Sequence, residues 1–161
     1  MKLLLHACCG PCSLEPVRIL AEAGHDITIA YLNSNIAPAS EYEHRLKTLL
    51  EWAKSQNIPV IEGPYEPATW QNAIKQNWDG TQENRADRCR ACYRIRLEEL
   101  ARYAYEHGFE GIGTTLTVSP YQYTDIINEE LERAAAPYEG LSAVFQDFRE
   151  FYPQATIRSR E

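Results

Sequence analysis

The sequence lacks any apolar run of about eighteen residues or more, the length that a membrane-spanning helix needs. It also lacks the apolar segment of a secretory signal, because only three leucines follow Lys2. We therefore expect a cytoplasmic protein with no membrane partner. In that reducing compartment, clustered cysteines indicate metal binding or catalysis more often than structural disulfides.

An excess of positive charge is also missing. The sequence has 23 acidic side chains against 16 lysines and arginines, a net charge of −7, which argues against binding of polyanions through the whole surface. Residues 85–96 depart from this balance, since they hold five arginines and one acid, Asp87. This local basic segment leaves nucleic acid open as a partner.

Internal repeats and low-complexity segments are absent as well, so the 161 residues predict one domain over 1–161. Runs of apolar, β-branched and aromatic residues predict five strands, over 2–6, 26–32, 58–61, 109–117 and 141–148. Helices are predicted over 13–23, 40–53 (with a capping box of Ser40 and Glu43), 93–104 and 127–135, whereas 64–88 has no clear pattern. This alternation predicts an α/β fold: an open, mainly parallel five-stranded sheet with helices on both faces.

Polar segments follow the predicted strands at four places. They are HACCGPCS (6–13), LNSN (32–35), TTLTVSP (114–120) and QDFR (146–149). Because parallel strands gather ligands at their carboxyl ends, these four segments are expected to form one site.

Four of the five cysteines form two C-x-x-C pairs, and the fifth belongs to neither pair. Cys9 and Cys12 make the first pair, Cys89 and Cys92 the second, and Cys8 precedes the first. Both pairs are predicted near helix starts, where free N–H groups favour thiolates. From the residues alone four interpretations stay open: small buried side chains, a thioredoxin-like thiol oxidoreductase, a structural zinc site, and a [4Fe–4S] cluster.

The spacing favours zinc and iron–sulfur equally. A dithiol enzyme would leave the second pair unexplained, and a structural zinc would leave Cys8 without a role. A cluster with four thiolates carries negative charge, which Arg88, Arg90 and Arg94 beside the second pair could balance.

The segments LLLHACCGPCS, CRACYRIRLEE, FEGIGTTLTVSPYQ and QDFR together resemble the cobalamin-independent epoxyqueuosine reductase family (QueH type), and the resemblance runs from residue 2 to about 161. It implies a HUP-like fold related to the nucleotide-binding PP-loop proteins. It implies a [4Fe–4S] cluster on Cys8, Cys9, Cys89 and Cys92. It further implies a second metal, a single iron or zinc, for which Cys12 and Asp147 are the expected ligands and catalytic groups.

The resemblance also implies the reaction. In this family the epoxide on the modified wobble base of a tRNA is reduced to an alkene, with electrons from an external donor. A base in an anticodon loop is unstacked and can enter a pocket. The residues expected to bind this substrate lie in the strand-end segments, on the following helix and in the basic segment: Asn33, Asn35, Arg45, Thr114, Thr115, Ser119, Gln122, Arg88 and Arg94.

The sequence departs from the family pattern in two ways. Ser34 and Ala37 stand where the family commonly has Pro and His, and no cysteine follows Cys92, although members typically continue into a segment with a Cys-x-Cys pair. The alternatives are therefore a catalytically impaired or non-catalytic metal-stabilised tRNA-binding homologue, or a thioredoxin-like thiol oxidoreductase. An enzyme that activates tRNA with ATP is disfavoured, because CCGPCS offers only Gly10 to a phosphate loop.

Overall fold

The computed structural model describes residues 1–8 and 10–153, apart from the side chain of Pro11. Within these residues five strands form one sheet in the order β3-β2-β1-β4-β5, and every neighbouring pair is parallel. The strands are β1 (Lys2–His6), β2 (Asp26–Tyr31), β3 (Val60–Glu62), β4 (Gly111–Thr114) and β5 (Ser142–Ala143). The predicted parallel α/β architecture is confirmed.

The connections between the strands are mainly helical. The helices are α1 (Gly10–Glu22), α2 (Ala39–Ser55), α3 (Pro67–Asn77), α4 (Arg85–Glu106) and α5 (Thr124–Ala135), with 3₁₀ turns at Leu116–Val118 and Arg149–Phe151. In the described part of the chain, no helix is long and apolar enough to cross a membrane.

Both faces of the sheet are covered because side chains alternate along each strand. Leu3 and Leu5 of β1 point to one face, where they belong to a buried cluster with residues of α1 and α2. Leu4 points to the opposite face, where it belongs to a second cluster with Leu97 of α4 and Leu131 of α5. The central strand is therefore buried on both sides, as its continuous apolar sequence requires.

Two predicted strands are too long. β4 ends at Thr114 and not at residue 117, because the Thr114 hydroxyl accepts a hydrogen bond from the Leu116 N–H (3.1 Å) and turns the chain into the 3₁₀ helix. β5 ends at Ala143, although the Val144 N–H still reaches the Ile112 carbonyl (2.8 Å). Apolar content alone does not distinguish a buried turn from a strand.

All four predicted helices begin earlier in the structure, α1 and α5 by three residues each, and two of the differences overturn a prediction. α2 begins at Ala39 with Pro38 as its N-cap and no side-chain cap, so the predicted Ser40–Glu43 capping box is wrong. α4 begins at Arg85 instead of Tyr93, so the second cysteine pair lies inside the helix and not at its start. The N–H groups there bond to the preceding turn, and the predicted helix-start stabilisation of Cys89 and Cys92 thiolates does not apply.

Candidate functional site at the carboxyl end of the sheet

The first cysteine segment lies at the carboxyl end of the central strand. Cys8 follows β1, and Cys12 lies in the first turn of α1. From β1 the chain proceeds to β2 on one side, and the strand on the other side, β4, comes later in the chain. This is the topological switch point, where open parallel sheets bind their ligands.

The second cysteine segment lies one turn inside α4. Cys89 and Cys92 are both buried. Two N–H donors face the Cys92 sulfur: Trp70 Nε1 of α3 at 3.3 Å and Arg96 Nη1, one turn further along α4, at 3.7 Å. Hydrogen bonds from N–H donors, one of them charged, suit a sulfur that carries negative charge as a metal ligand.

A buried chain of hydrogen bonds connects Arg96 to the ends of three strands. Arg96 Nη2 donates to Asn33 Oδ1 (2.7 Å), which also meets His6 Nε2 (3.1 Å). The Asn33 amide donates to the Ala7 carbonyl (2.9 Å), which fixes its orientation. Because Oδ1 only accepts, His6 Nε2 carries the hydrogen, and His6 Nδ1 accepts from the Thr114 hydroxyl (3.1 Å).

The positive charge of this chain resides on Arg96. Burial and then the neighbouring guanidinium lower the pKa of His6 to about 3, so His6 is neutral at physiological pH. Arg96 is 6% exposed, and no carboxylate of residues 1–8 or 10–153 forms an ion pair with it. Burial of a cation without an anion is costly, so a negative group bound beside Arg96 would be stabilised.

The other α4 cysteine has a different environment. Burial raises the pKa of the Cys89 thiol, while Arg85 and Arg88 oppose that rise. The next turn carries Tyr93, whose pKa burial raises to about 12, and its neutral hydroxyl donates to Gln122 Oε1. The backbone N–H of Tyr123 in turn donates to the Tyr93 hydroxyl (3.3 Å), so Gln122 is held in place from the helix.

Two of the arginines beside the second pair are used within the fold. Arg90 and Arg94 both donate to Glu130 of α5, at 3.0 and 2.9 Å, and Arg90 also pairs with Glu129. They therefore join α4 to α5, and their charge is already balanced.

Arg85 and Arg88, near the start of α4, lie on aromatic rings. The Arg88 guanidinium lies 5.5 Å from the Trp70 ring centre and 5.7 Å from that of Trp78. Arg85 lies 5.7 Å from the ring centre of Tyr123. Arginines stacked in this way keep N–H groups for phosphate oxygens, so these two are the better candidates for RNA contact.

The remaining predicted substrate residues differ in what they already contact. Ser119 Oγ accepts from the Tyr121 N–H (3.2 Å), and Arg45 donates to Glu41 (2.7 Å) on the exposed side of α2. Asn35 Oδ1 and Thr115 Oγ1 are buried and find no hydrogen-bond partner among the described residues. Among the predicted substrate residues, these two therefore carry buried polar atoms whose hydrogen-bonding capacity the described residues leave unused.

Asp147 lies two residues before the second 3₁₀ turn and forms an ion pair with Arg149. Arg149 Nε is 2.9 Å from each carboxylate oxygen, and this hydrogen bonding lowers the pKa of the Asp147 carboxyl. A metal on Asp147 would share the carboxylate oxygens with Arg149 or displace it.

The predicted four-thiolate set is only partly described. Cys9 lies outside the described residues. Among the residues that are described, no three His, Cys, Asp or Glu side chains are grouped closely enough to hold a metal ion. The ligand set therefore stays a prediction. The surroundings of Cys92, with two N–H donors and a buried cation, fit a thiolate that belongs to a negatively charged group.

A cavity of about 180 Å³ lies between α3, α4 and the segment after β2. Trp70 and Arg96, the two donors to Cys92, line it together with Leu32 and Ser34. The cavity therefore shares two side chains with the surroundings of Cys92.

Sequence reasoning missed three residues of the site: His6, Trp70 and Arg96. Arg96 had a readable signal, because it lies four residues after Cys92 and four before Leu100, within the buried stripe of α4. A charged residue in such a stripe needs a buried partner. Trp70 lies in the segment without a clear pattern, where no signal was available.

The chain matches the family model described as epoxyqueuosine reductase QueH over residues 3–161. The protein of that name from Staphylococcus aureus is 36% identical over 80% of this chain and 55% of its own length. The one from Acinetobacter baylyi is also 36% identical, over 85% of this chain and 62% of its own length. One from Dehalococcoides mccartyi is 31% identical over 94% of this chain and 79% of its own length. The chain thus spans little more than half of the first two relatives.

Among solved structures, a predicted subunit of a tRNA methyltransferase from Methanocaldococcus jannaschii matches with a TM-score of 0.61 and 12% identity, over 99% of this chain and 76% of that one. At that identity the likeness concerns the fold alone, and it confirms the predicted HUP-like architecture. Family model and relatives agree: the chain belongs to the epoxyqueuosine reductase QueH family.

Proposed function

We propose that this protein reduces epoxyqueuosine to queuosine at the wobble position of tRNA. The family membership supports the reaction, and the observation that carries the electron-transfer mechanism is the cationic, N–H-lined environment of the Cys92 sulfur at the switch point. The reaction takes up two electrons and two protons, removes the epoxide oxygen as water and leaves an alkene. The electrons come from an external one-electron donor, and the setting is the cytoplasm.

The residues that we propose to hold a [4Fe–4S] cluster are Cys8, Cys9, Cys89 and Cys92. When bound, such a cluster supplies electrons one at a time. The hydrogen-bond chain supports a shared site, because it runs from His6, two residues before Cys8, through Asn33 to Arg96, one turn after Cys92. It thereby fixes the end of β1 relative to α4.

A second metal, a single iron or zinc, would be held by Cys12 and Asp147. Cys12 in the first turn of α1 lies at the same end of the sheet as Cys8. The ion pair between Asp147 and Arg149 means that metal binding at this carboxylate competes with the guanidinium. We therefore expect weaker binding of the second metal than of the cluster.

Substrate contacts follow from which atoms the fold leaves available. Because Tyr93 donates to Gln122 Oε1, contact from Gln122 falls to its Nε2 amide, which would donate to an acceptor on the base or its ring hydroxyls. Asn35 Oδ1 and Thr115 Oγ1 would accept or share hydrogen bonds from the substrate. Arg88 on its tryptophan rings would bind a phosphate of the anticodon loop, whereas Arg94 is already paired with Glu130.

The test is anaerobic purification followed by iron, sulfide and zinc analysis and by EPR after dithionite reduction. We expect about four irons and four sulfides per chain, a reduced-cluster signal, and conversion of epoxyqueuosine in tRNA by the reduced protein. Cys92→Ala should lose the cluster, and Cys12→Ser should keep it. Stoichiometric zinc without sulfide, persisting after anaerobic reconstitution, would refute electron transfer and favour the non-catalytic tRNA-binding alternative.

A further inference from the structure

We propose that Arg96 is the buried counter-cation of the Cys92 sulfur and that, with the Trp70 N–H, it raises the reduction potential of the iron–sulfur group that Cys92 would ligate. This inference rests on the proposed function and deepens it. Arg96 is a positioning residue for electron transfer and makes no contact with the reacting atoms of the substrate.

The burial of Arg96 sets it apart from its neighbours. Of the five arginines in residues 85–96, Arg96 alone is buried. Arg94, two residues earlier, points to α5 and shares the Glu130 carboxylate with Arg90, whereas Arg96 has no carboxylate partner among the described residues. Removing a guanidinium from water without an anion is unfavourable, so its retention at this place indicates a negative charge that the protein chain alone does not supply.

The direction in which Arg96 points is fixed by its partners. Asn33 Oδ1 accepts from Nη2 at 2.7 Å, and the guanidinium is planar, so Nη1 is directed at Cys92 Sγ at 3.7 Å. The Asn33 amide is itself held by His6 and the Ala7 carbonyl. Neither Asn33 nor His6 is an acid, so the charge of Arg96 is not offset from that side.

Trp70 provides a second, uncharged donor to the same sulfur. Its Nε1 lies 3.3 Å from Cys92 Sγ, and the face of its ring carries Arg88 at 5.5 Å. Cys92 therefore receives one charged and one neutral N–H. The two contributions can be separated by substitution, because phenylalanine keeps an aromatic ring at position 70 and removes the N–H donor.

These donors act on the reduced state more than on the oxidised state. Reduction adds one electron to the cluster without breaking a bond or moving a proton, and it increases the negative charge on the sulfurs. Hydrogen bonds to cluster sulfurs stabilise that extra charge and raise the potential. A charged donor contributes more than a neutral one, so loss of Arg96 should have the larger effect.

The experiment compares midpoint potentials of anaerobically reconstituted protein by redox titration followed by EPR, with iron and sulfide measured for each variant. In Arg96→Met we expect the ratio of reduced to oxidised cluster at a fixed potential to fall about tenfold, which is a shift of about 59 mV for one electron. Trp70→Phe should shift in the same direction by less. Arg96→Lys should lie between Arg96→Met and wild type, and Arg94→Met, the matched control on the same helix, should leave the potential unchanged.

The outcomes separate this inference from the proposed function. Loaded Arg96→Met protein with the wild-type potential overturns the inference while the cluster assignment stands. If Arg96→Met fails to fold or load, Trp70→Phe and Arg96→Lys decide, and wild-type potentials in both overturn it. Wild-type protein that takes up no iron and sulfide refutes the proposed function and this role of Arg96 together.

Discussion

Replacement of Asn33 by alanine tests whether this residue maintains the site or binds substrate. The sequence predicts a substrate contact, but the structure surrounds the Asn33 amide with protein partners. It accepts from Arg96 (2.7 Å) and His6 (3.1 Å) and donates to the Ala7 carbonyl (2.9 Å), and the residue is 1% exposed. Asn33→Ala should therefore destabilise the protein even when no RNA is present.

The size of the effect follows from the three hydrogen bonds. A bond from a charged donor contributes roughly 1.5–3 kcal/mol, and each neutral bond roughly 0.5–1.5 kcal/mol. Their sum is about 2.5–6 kcal/mol, and water that enters the vacated space offsets part of the loss. We expect a decrease of about 4 kcal/mol in the free energy of unfolding, a large part of the stability of an ordinary domain.

Urea-induced unfolding at pH 7, with wild type and variants in the same metal state, measures this difference. Asn35→Ala is the matched control, because Asn35 is a neighbouring asparagine whose Oδ1 has no hydrogen-bond partner among the described residues. It should cost less than about 1 kcal/mol. If Asn33→Ala unfolds at the same urea concentration as Asn35→Ala, the amide does not hold Arg96 and the reasoning on the buried chain is wrong.

Three further predictions concern the RNA contact, acid stability and the sheet. Arg88→Gln should weaken binding of an anticodon stem-loop and reduce the slope of log affinity against log salt by about 1, while Arg94→Gln should leave the slope unchanged. Burial alone would raise the pKa of Glu130, but hydrogen bonds from its arginines prevail and lower it. The contribution of Glu130 to stability is thus present above the ordinary carboxyl pKa and is lost as pH falls through its lowered pKa. In acid titrations followed by circular dichroism, Glu130→Gln should therefore lose less stability on acidification than wild type. Gly113→Ala would place its Cβ 3.2 Å from the Val144 carbonyl oxygen. The substitution should lower the free energy of unfolding by about 1–3 kcal/mol, measured by thermal or urea unfolding. An unchanged midpoint would show that the sheet adjusts to the added methyl group.

The sheet could be predicted because its signals are local and redundant. The apolar run after Met1 and the β-branched run from Asp26 each specify a buried strand, and short connections leave few parallel arrangements. The early start of α4 could not be predicted in this way. Residues 85–92 alternate arginine with small side chains and lack apolar periodicity, and their helix packs against α3, which had no clear pattern, and against α5, which lies further along the chain.

The candidate site could be located, but the use of each residue could not. Arg94 and Arg96 are two positions apart, so a helix places them about 200° from each other around its axis. One meets Glu130 on α5, and the other meets Asn33 at the end of β2. A count of arginines near a cysteine pair does not distinguish these two positions, because the distinction depends on which elements flank α4.

The buried chain joins the carboxyl ends of three strands to α4 through contacts within the protein. Thr114 and His6 end β4 and β1, Asn33 follows β2, and Arg96 connects all three to the turn of α4 that follows Cys92. The arrangement leaves the positive charge of Arg96 unmatched. A group that binds the folded protein and supplies negative charge there stabilises the fold by mass action and by removing that unfavourable burial. Cluster loading and folding stability should therefore be coupled through Arg96, since the same guanidinium that destabilises the empty protein favours the loaded one.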